Sequence, residues 1–308
     1  MIYTVTFNPA IDYVVHIPNF KPGSIRRSTQ ESLQFGGKGV NVSIVLGRLG
    51  VENAALGFVA GFTGRALEEG LTADGVRTDF IRLHEGFTRI NVKIKAGSES
   101  EINGQGPAID PDDLEMLLFQ LGRLKAGDML VLAGSVPAGV PEDVYQRILA
   151  QLEGRGVDTV VDAERGLLLE TLRYRPFLIK PNHLELGDLV GQILRTEGEL
   201  MAAAQSLQEK GARNVLVSMA GEGALLLDES GQFHRAAAPR GQVRNSVGAG
   251  DAMVAGFLAG WQRTGQYDEA LRLAVAAGSA TAFSEELARR GEAEALLPQV
   301  TVTETAPA

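Results

Sequence analysis

Chemistry-bearing residues gather in two glycine-rich clusters of this chain. Residues 245–256 read Asn-Ser-Val-Gly-Ala-Gly-Asp-Ala-Met-Val-Ala-Gly. Gly248, Ala249 and Gly250 stand directly before Asp251, and an apolar run from Met253 to Trp261 follows that reads as a helix. A helix opened by such small residues presents bare backbone N–H groups, which bind anions. It also fixes a carboxylate beside the anion. Amides that hold a phosphate next to a general base are the equipment for transferring a phosphoryl group to a hydroxyl. The spacing alone fits a second reading, a glycine-rich turn whose acid serves the helix dipole, worth about 0.3–1 kcal/mol.

The upstream cluster is Gly36-Gly37-Lys38-Gly39-Val40-Asn41-Val42-Ser43. It precedes a helical pattern marked by Val42, Val45, Leu46 and Leu49. Lys38 is a point charge suited to a phosphate. Asn41 offers a hydroxyl both a donor and an acceptor. Gly-x4-Gly-Lys-Ser/Thr occurs nowhere, so this is no P-loop, and Gly-x-Gly-x-x-Gly does not follow the first strand, which argues against a dinucleotide-dependent oxidoreductase.

The elements around these clusters must position them. Residues 2–7 form a β-rich run that ends in the Asn8-Pro9 turn, and 13–18 form a second short strand. Gly50 closes the helix of the upstream cluster. A strand over 54–59 leads to a helix over 64–71. Residues 88–95 alternate, Gly97 marks a hairpin, and 100–103 return. Asp110-Pro111-Asp112-Asp113 opens a helix over 114–124. Strands over 129–133, 159–162, 177–180 and 215–218 then follow, with a helix over 141–153 after the first. A hairpin over 224–228 and 233–237 turns at Ser230-Gly231. Helices over 247–263, 268–284 and 292–298 end the chain. Such alternation predicts an α/β fold, a mostly parallel sheet sandwiched by helices. The segments 13–18 and 88–103 break the pattern and are expected to form a small projecting sheet.

Composition narrows the class. The chain has 308 residues, 44% of them hydrophobic, enough for a large core without metal or disulfide staples. It has no cysteine, which excludes thiolate metal sites and fits a reducing cytoplasm. A net charge of −9 and the lack of a basic run argue against nucleic-acid partners. The first residues lack the positive region of a signal peptide, and no apolar stretch has bilayer-spanning length. His16, His84, His183 and His234 are scattered without metal-ligand spacing.

Taken together, the two clusters resemble the paired signatures of the ribokinase-like carbohydrate kinases, in particular their phosphofructokinase B branch. The resemblance runs through nearly the whole chain. It is carried by Thr6-Phe7-Asn8-Pro9-Ala10-Ile11-Asp12, Thr88-Arg89-Ile90-Asn91-Val92-Lys93 and Glu101-Ile102-Asn103-Gly104-Gln105-Gly106-Pro107. Ala133-Gly134-Ser135-Val136-Pro137, Val161-Asp162-Ala163-Glu164, Lys180-Pro181-Asn182-His183-Leu184-Glu185 and Val217-Ser218-Met219-Ala220-Gly221-Glu222-Gly223-Ala224 continue it in order.

The resemblance implies a single ribokinase-like domain over 1–308 with a β-sheet lid from about 13–34 and 87–106. Asp251 would be the general base, with Gly248, Ala249 and Gly250 as the anion hole. Asp12, Gly37 and Asn41 would bind the sugar, and Ser135 would add a hydroxyl contact. Arg89 and Lys38 would anchor the sugar's own phosphate, with Arg26 third. Lys180, Asn182, Ser218, Gly221 and Gly223 would bind ATP with Gly248 and Gly250, and Glu185 would help place Mg2+. Asn182 and Glu185 read equally as a helix capping pair. Residues 277–283 are candidates for the adenine pocket. Ala220 stands where the family usually has glycine.

The implied reaction is ATP-dependent phosphorylation of fructose 1-phosphate at its 6-hydroxyl. Tagatose 6-phosphate and fructose 6-phosphate are the alternative acceptors, and a noncatalytic sugar-phosphate sensor is the rival from another class. The expected partners are small molecules, in the cytoplasm, with neither nucleic acid nor membrane. A homodimer is a candidate assembly.

Overall fold

The computed structural model describes residues 1–97, 99–163 and 165–306, so Glu164 of the Val161–Glu164 run lies outside the described residues. Along the chain, β1 (Ile2–Thr6), β2 (Ala10–His16) and β3 (Gln30–Gly36) precede α1 (Lys38–Arg48). Next come β4 (Asn53–Ala60), α2 (Gly61–Ala73) and the short β5 (Arg77–Thr78) and β6 (Ile81–Leu83), then β7 (Arg89–Lys95) and β8 (Glu99–Ile102). From α3 (Pro111–Leu121) onward strand and helix alternate through β9 (Met129–Ala133), α4 (Val144–Leu152), β10 (Asp158–Asp162), α5 (Arg165–Thr171) and β11 (Leu178–Ile179). Two helices, α6 (His183–Val190) and α7 (Glu197–Glu209), lead to β12 (Asn214–Ser218) and the hairpin of β13 (Ala224–Leu227) and β14 (Phe233–Ala236). The chain closes with α8 (Ala249–Thr264), α9 (Tyr267–Phe283), α10 (Arg290–Leu296) and β15 (Val302–Thr305).

The main sheet has the order β15-β14-β13-β12-β11-β10-β9-β1-β4-β5, with β6 also paired to β4. It is parallel from β5 to β12 and antiparallel at its last three strands. Both faces are buried, as the apolar runs predict. In β9, Leu130 and Leu132 pack toward α3, α4 and α7, whereas Met129, Val131 and Ala133 pack toward α1, α8 and α9. The period of two within a strand supplies both cores at once.

The second sheet has four strands, ordered β3-β2-β7-β8. It matches the expected projection, with one adjustment. The expected strand over 13–18 runs instead over Ala10–His16 and stops before Pro18, which lacks the N–H a ladder needs.

Strand β1 has β4 on one side and β9 on the other. The chain therefore leaves β1 toward one flank and later returns to the other. Ligands of open α/β sheets bind outside the carboxyl ends of the strands at such a reversal. The loop after β1 carries Asn8 and Pro9 into the small sheet, and the loop after β9 carries Gly134 and Ser135.

Candidate active site

Asp251 lies in the first turn of α8 and is 6% exposed. Gly248 caps the helix at φ 78, and the Ala249 N–H reaches the Ser246 carbonyl at 3.3 Å. The Gly250 N–H has no backbone partner among the described residues, which leaves it free for an anion. A Cβ on Gly250 would stand 3.1 Å from the Lys180 ammonium, so glycine here lets that charge approach the helix end.

Around Asp251 the charges alternate. Asn41 Nδ2 donates to its Oδ2 at 2.8 Å. Asp162, at the end of β10, is buried between Lys38 Nζ at 3.3 Å and Lys180 Nζ at 3.6 Å. Burial, and then the Asp162 carboxylate, push the Asp251 carboxyl up to about 6, while the Asn41 bond, Lys180 and Lys38 pull it down. A buried carboxylate tuned toward neutrality, with two ammonium groups nearby, suits proton removal beside an incoming phosphate.

Lys38 was expected beside Arg89, but its first-turn position on α1 turns it toward Asp162 instead. Burial lowers its ammonium pKa, yet Asp162 and then Asp251 override this, and the net shift is upward. The lysine shares Asp162 with Lys180. Gly37, at φ 116, and Gly39 serve close packing. Added Cβ atoms would stand 2.7 Å from Thr6 Cγ2 and 2.5 Å from Thr6 Oγ1, so α1 starts hard against the end of β1.

On the sugar side, Asp12 and Asn41 line a cavity of about 170 Å³ with Gly36 and Phe35. Arg89, at the start of β7, spends its Nε on the Asn8 carbonyl at 3.1 Å. Its terminal nitrogens make no hydrogen bond among the described residues, leaving a planar fork for a phosphate. Ser135 is exposed in the loop after β9, next to Gly134, whose added Cβ would face Lys38 at 3.9 Å. Arg26 does not join the group. It is exposed between β2 and β3, in a stretch where Pro18, Pro22 and Gly23 oppose ladder formation.

Most of the residues expected on the nucleotide side converge. Asn182, Ser218, Gly221, Gly223 and Gly250 line one cavity of about 800 Å³ together with Ala249, whereas Lys180, buried against Asp162, and Gly248 do not line it. Of the candidate adenine residues, Gly278, Ser279, Ala282 and Phe283 reach it together with Val275, whereas Ala277, Ala280 and Thr281 are turned into the core. The helical period selects one face, which a continuous range could not. The 238–241 loop, Val243, Leu184, His183 and Met253 also line this cavity, and no sequence motif marks them as ligand contacts. His183 lines the cavity and keeps its Nδ1 buried without a partner among the described residues. The Asn182 side chain accepts from the N–H groups of Leu184 and Glu185, and Glu185 accepts from the Asn182 N–H at 2.8 Å. The capping pair is thus formed, with Glu185 still exposed. Ala220 adopts φ 47, the left-handed region where glycine is at ease.

Among the described residues no three carboxylate or histidine groups form a ready metal cage. The donors present, Asp162 and Glu185, are hard oxygens beside a phosphate-binding space. That set fits magnesium, which keeps water and is usually held by one or two carboxylates plus substrate phosphates.

Residues 4–290 match the family described as pfkB family carbohydrate kinase. The 1-phosphofructokinase of Bacillus subtilis is 46% identical over 98% of this chain and 99% of its own. The D-tagatose-1-phosphate kinase of Bacillus licheniformis is 38% identical over 98% and 99%. Phosphofructokinase-2 from Escherichia coli, in complex with substrates and products, superposes with a TM-score of 0.91 at 28% identity, covering 97% of this chain and 98% of that one.

Proposed function

The chain belongs to the pfkB family of carbohydrate kinases, and on that premise we propose that it transfers the γ-phosphoryl group of ATP to the 6-hydroxyl of fructose 1-phosphate. One observation carries the reading. Asn41 lines the sugar cavity, Ala249 and Gly250 line the nucleotide cavity, and Asp251 is bonded to the first and adjacent to the second. The base therefore sits where the two cavities meet. It takes the hydroxyl proton as the oxygen bonds to phosphorus, and ADP departs with the electrons of the broken bond. The Gly248–Gly250 amides, Lys38 and Lys180 stabilise the charge spread over the transferring group. Asp162 keeps the two lysines apart and aimed.

Asp12 and Asn41 read sugar hydroxyls, Arg89 anchors the 1-phosphate, and Ser135 adds a contact at the strand end. Asn182, Ser218, Gly221 and Gly223 wrap the nucleotide. Magnesium, held through Glu185 and Asp162, would neutralise the phosphate oxygens. We treat residues 1–308 as one catalytic unit in which the small sheet is the lid, because the sugar cavity is lined both by β2 and β3 of the small sheet and by α1 of the main body. We place the reaction in the cytoplasm, where ATP is abundant, and no helix among the described residues is long and apolar enough to cross a membrane. A homodimer remains our proposed assembly.

Both relatives are named for a 1-phosphate. This favours a phosphate at carbon 1 and sets aside the 6-phosphates considered from the sequence. A coupled assay across fructose 1-phosphate, tagatose 1-phosphate, fructose 6-phosphate, tagatose 6-phosphate and fructose tests the proposal. Fructose 1-phosphate should give the highest kcat/KM, and a clear preference for either 6-phosphate would overturn the assignment.

A further inference from the structure

The sugar-reading carboxylate is gripped from behind. On one face of the small sheet, Asp12 of β2 stands opposite Asn91 of the parallel strand β7. Asn91 Nδ2 donates to Asp12 Oδ1 at 2.8 Å. Two residues along β7, and so on the same face, Lys93 places its Nζ 2.9 Å from Asp12 Oδ2. Lys93 is 9% exposed. Its ammonium lies 3.9 Å from Glu101, its direct cross-strand neighbour on β8. From the other flank, Gly36 of β3 clears the space, since a Cβ there would be 3.2 Å from Asp12 Oδ2.

A buried ion pair is poor evidence of a stability device, because well-packed hydrophobes of the same size usually do as well or better. This one also sits in a sheet whose outer strands expose Leu33 and Ile102, 64% and 62% accessible. The remaining bonds of Asn91 lead toward the phosphate anchor. Its Oδ1 accepts from the Gly104 N–H, Asn8 Nδ2 donates to the neighbouring Gln105 carbonyl, and the Asn8 carbonyl accepts from Arg89. One network thus spans from the hydroxyl reader to the phosphate reader.

We propose that Lys93, with Asn91, is a positioning residue for sugar recognition: it fixes the Asp12 carboxylate in the orientation that meets the ketohexose hydroxyls, without touching the sugar. The inference rests on the reading of this site as a sugar-phosphate kinase. Lys93 contributes no side chain to either cavity.

The test is steady-state kinetics of Lys93→Met and Lys93→Arg, using the sugar phosphate that the wild-type enzyme turns over fastest, so a wrong substrate assignment does not count for or against Lys93. Loss of an ordered charge-assisted contact should raise the sugar KM of Lys93→Met by about 10-fold or more. The ATP KM should stay within about twofold, since Lys93 lines no part of the nucleotide cavity; loss of folded enzyme alone would lower the rate and leave both KM values unchanged. Lys93→Arg, which keeps the pair to Asp12, should recover most of the affinity. Free fructose, whose hydroxyls Asp12 also reads, should lose by the same factor as the phosphosugar. An ATP-induced rise in melting temperature confirms that each variant is folded. The proposal is overturned if Lys93→Met leaves the sugar KM unchanged and only lowers the melting temperature. It is equally overturned if the loss is confined to the phosphorylated sugar, which would make Lys93 a phosphate contact.

Discussion

Asp251 carries opposite demands at the scale of a single residue. Burial and Asp162 raise its pKa to about 6, so the folded enzyme holds its proton more tightly than the unfolded chain does. This group therefore favours folding most at low pH, and that contribution is lost as pH rises through about 6. The proposed catalysis runs the other way, because only the ionised form accepts a proton. We expect kcat/KM to climb between about pH 5 and 7 and then level off; a profile flat through that interval would remove Asp251 as the titrating base. Asp251→Asn should lower kcat by about 10²–10⁴ and, at neutral pH, raise the unfolding free energy, because the cost of ionising a buried carboxyl is removed. A joint loss of activity and stability would contradict this trade. Arg89 carries a different load. Arg89→Ala should cut kcat/KM for fructose 1-phosphate by about 10–150-fold while leaving the slow reaction with fructose nearly unchanged. Equal losses on both substrates would reduce Arg89 to a support for the Asn8 loop.

The helix α8 depends, as an element, on residues far from its catalytic end. Cβ atoms at Gly256 and Gly260 would stand 2.5 Å from the Leu273 carbonyl and 2.7 Å from Ala270 Cα, so α8 and α9 touch backbone to backbone. Gly256→Ala should cost about 1–3 kcal/mol, seen as a lower melting temperature, with kcat falling because Asp251 rides on the displaced helix. On α6, Glu185→Gln keeps an acceptor for the Asn182 N–H and removes the charge. It should leave the melting temperature unchanged and raise the magnesium needed for half-maximal rate; an unaltered titration would leave Glu185 a capping residue only. Elements of this kind differ in how plainly the sequence announces them. The 129–133 run reads correctly to the residue because an unbroken apolar stretch has one stable use in a two-faced sheet. Helix Glu197–Glu209 escapes the reading, although the Thr196 and Glu199 capping box announces it. Strands of two or three residues such as β5 and β6 have no periodicity to read, and polar β15 exists only because β14 offers it an edge. In the site, the glycine clusters are legible through local spacing. Asp162 between two lysines, and Lys93 behind Asp12, are products of pairings distant in sequence, and no window of the chain contains them.

The whole molecule contains two unequal sheets. The main one is buried on both faces. The small one draws only on β2, β3, β7 and β8, with every residue of β8 exposed. Hydrogen exchange should therefore run at two rates. Amides of β9, β10 and β12 should open only with global unfolding, while those of β2 and β7 should exchange through a cheaper local opening. A sugar phosphate that engages Asp12 and Arg89 on the small sheet and Asn41 on α1, which packs on the main sheet, would fasten the two together. ATP, confined to the cavity of the main body, would not. Deuterium uptake in β2 and β7 should accordingly slow on adding fructose 1-phosphate and remain unchanged with ATP alone. The substrate being phosphorylated would then be the latch that joins two independently breathing parts, and the phosphoryl donor a passenger on the part that does not open.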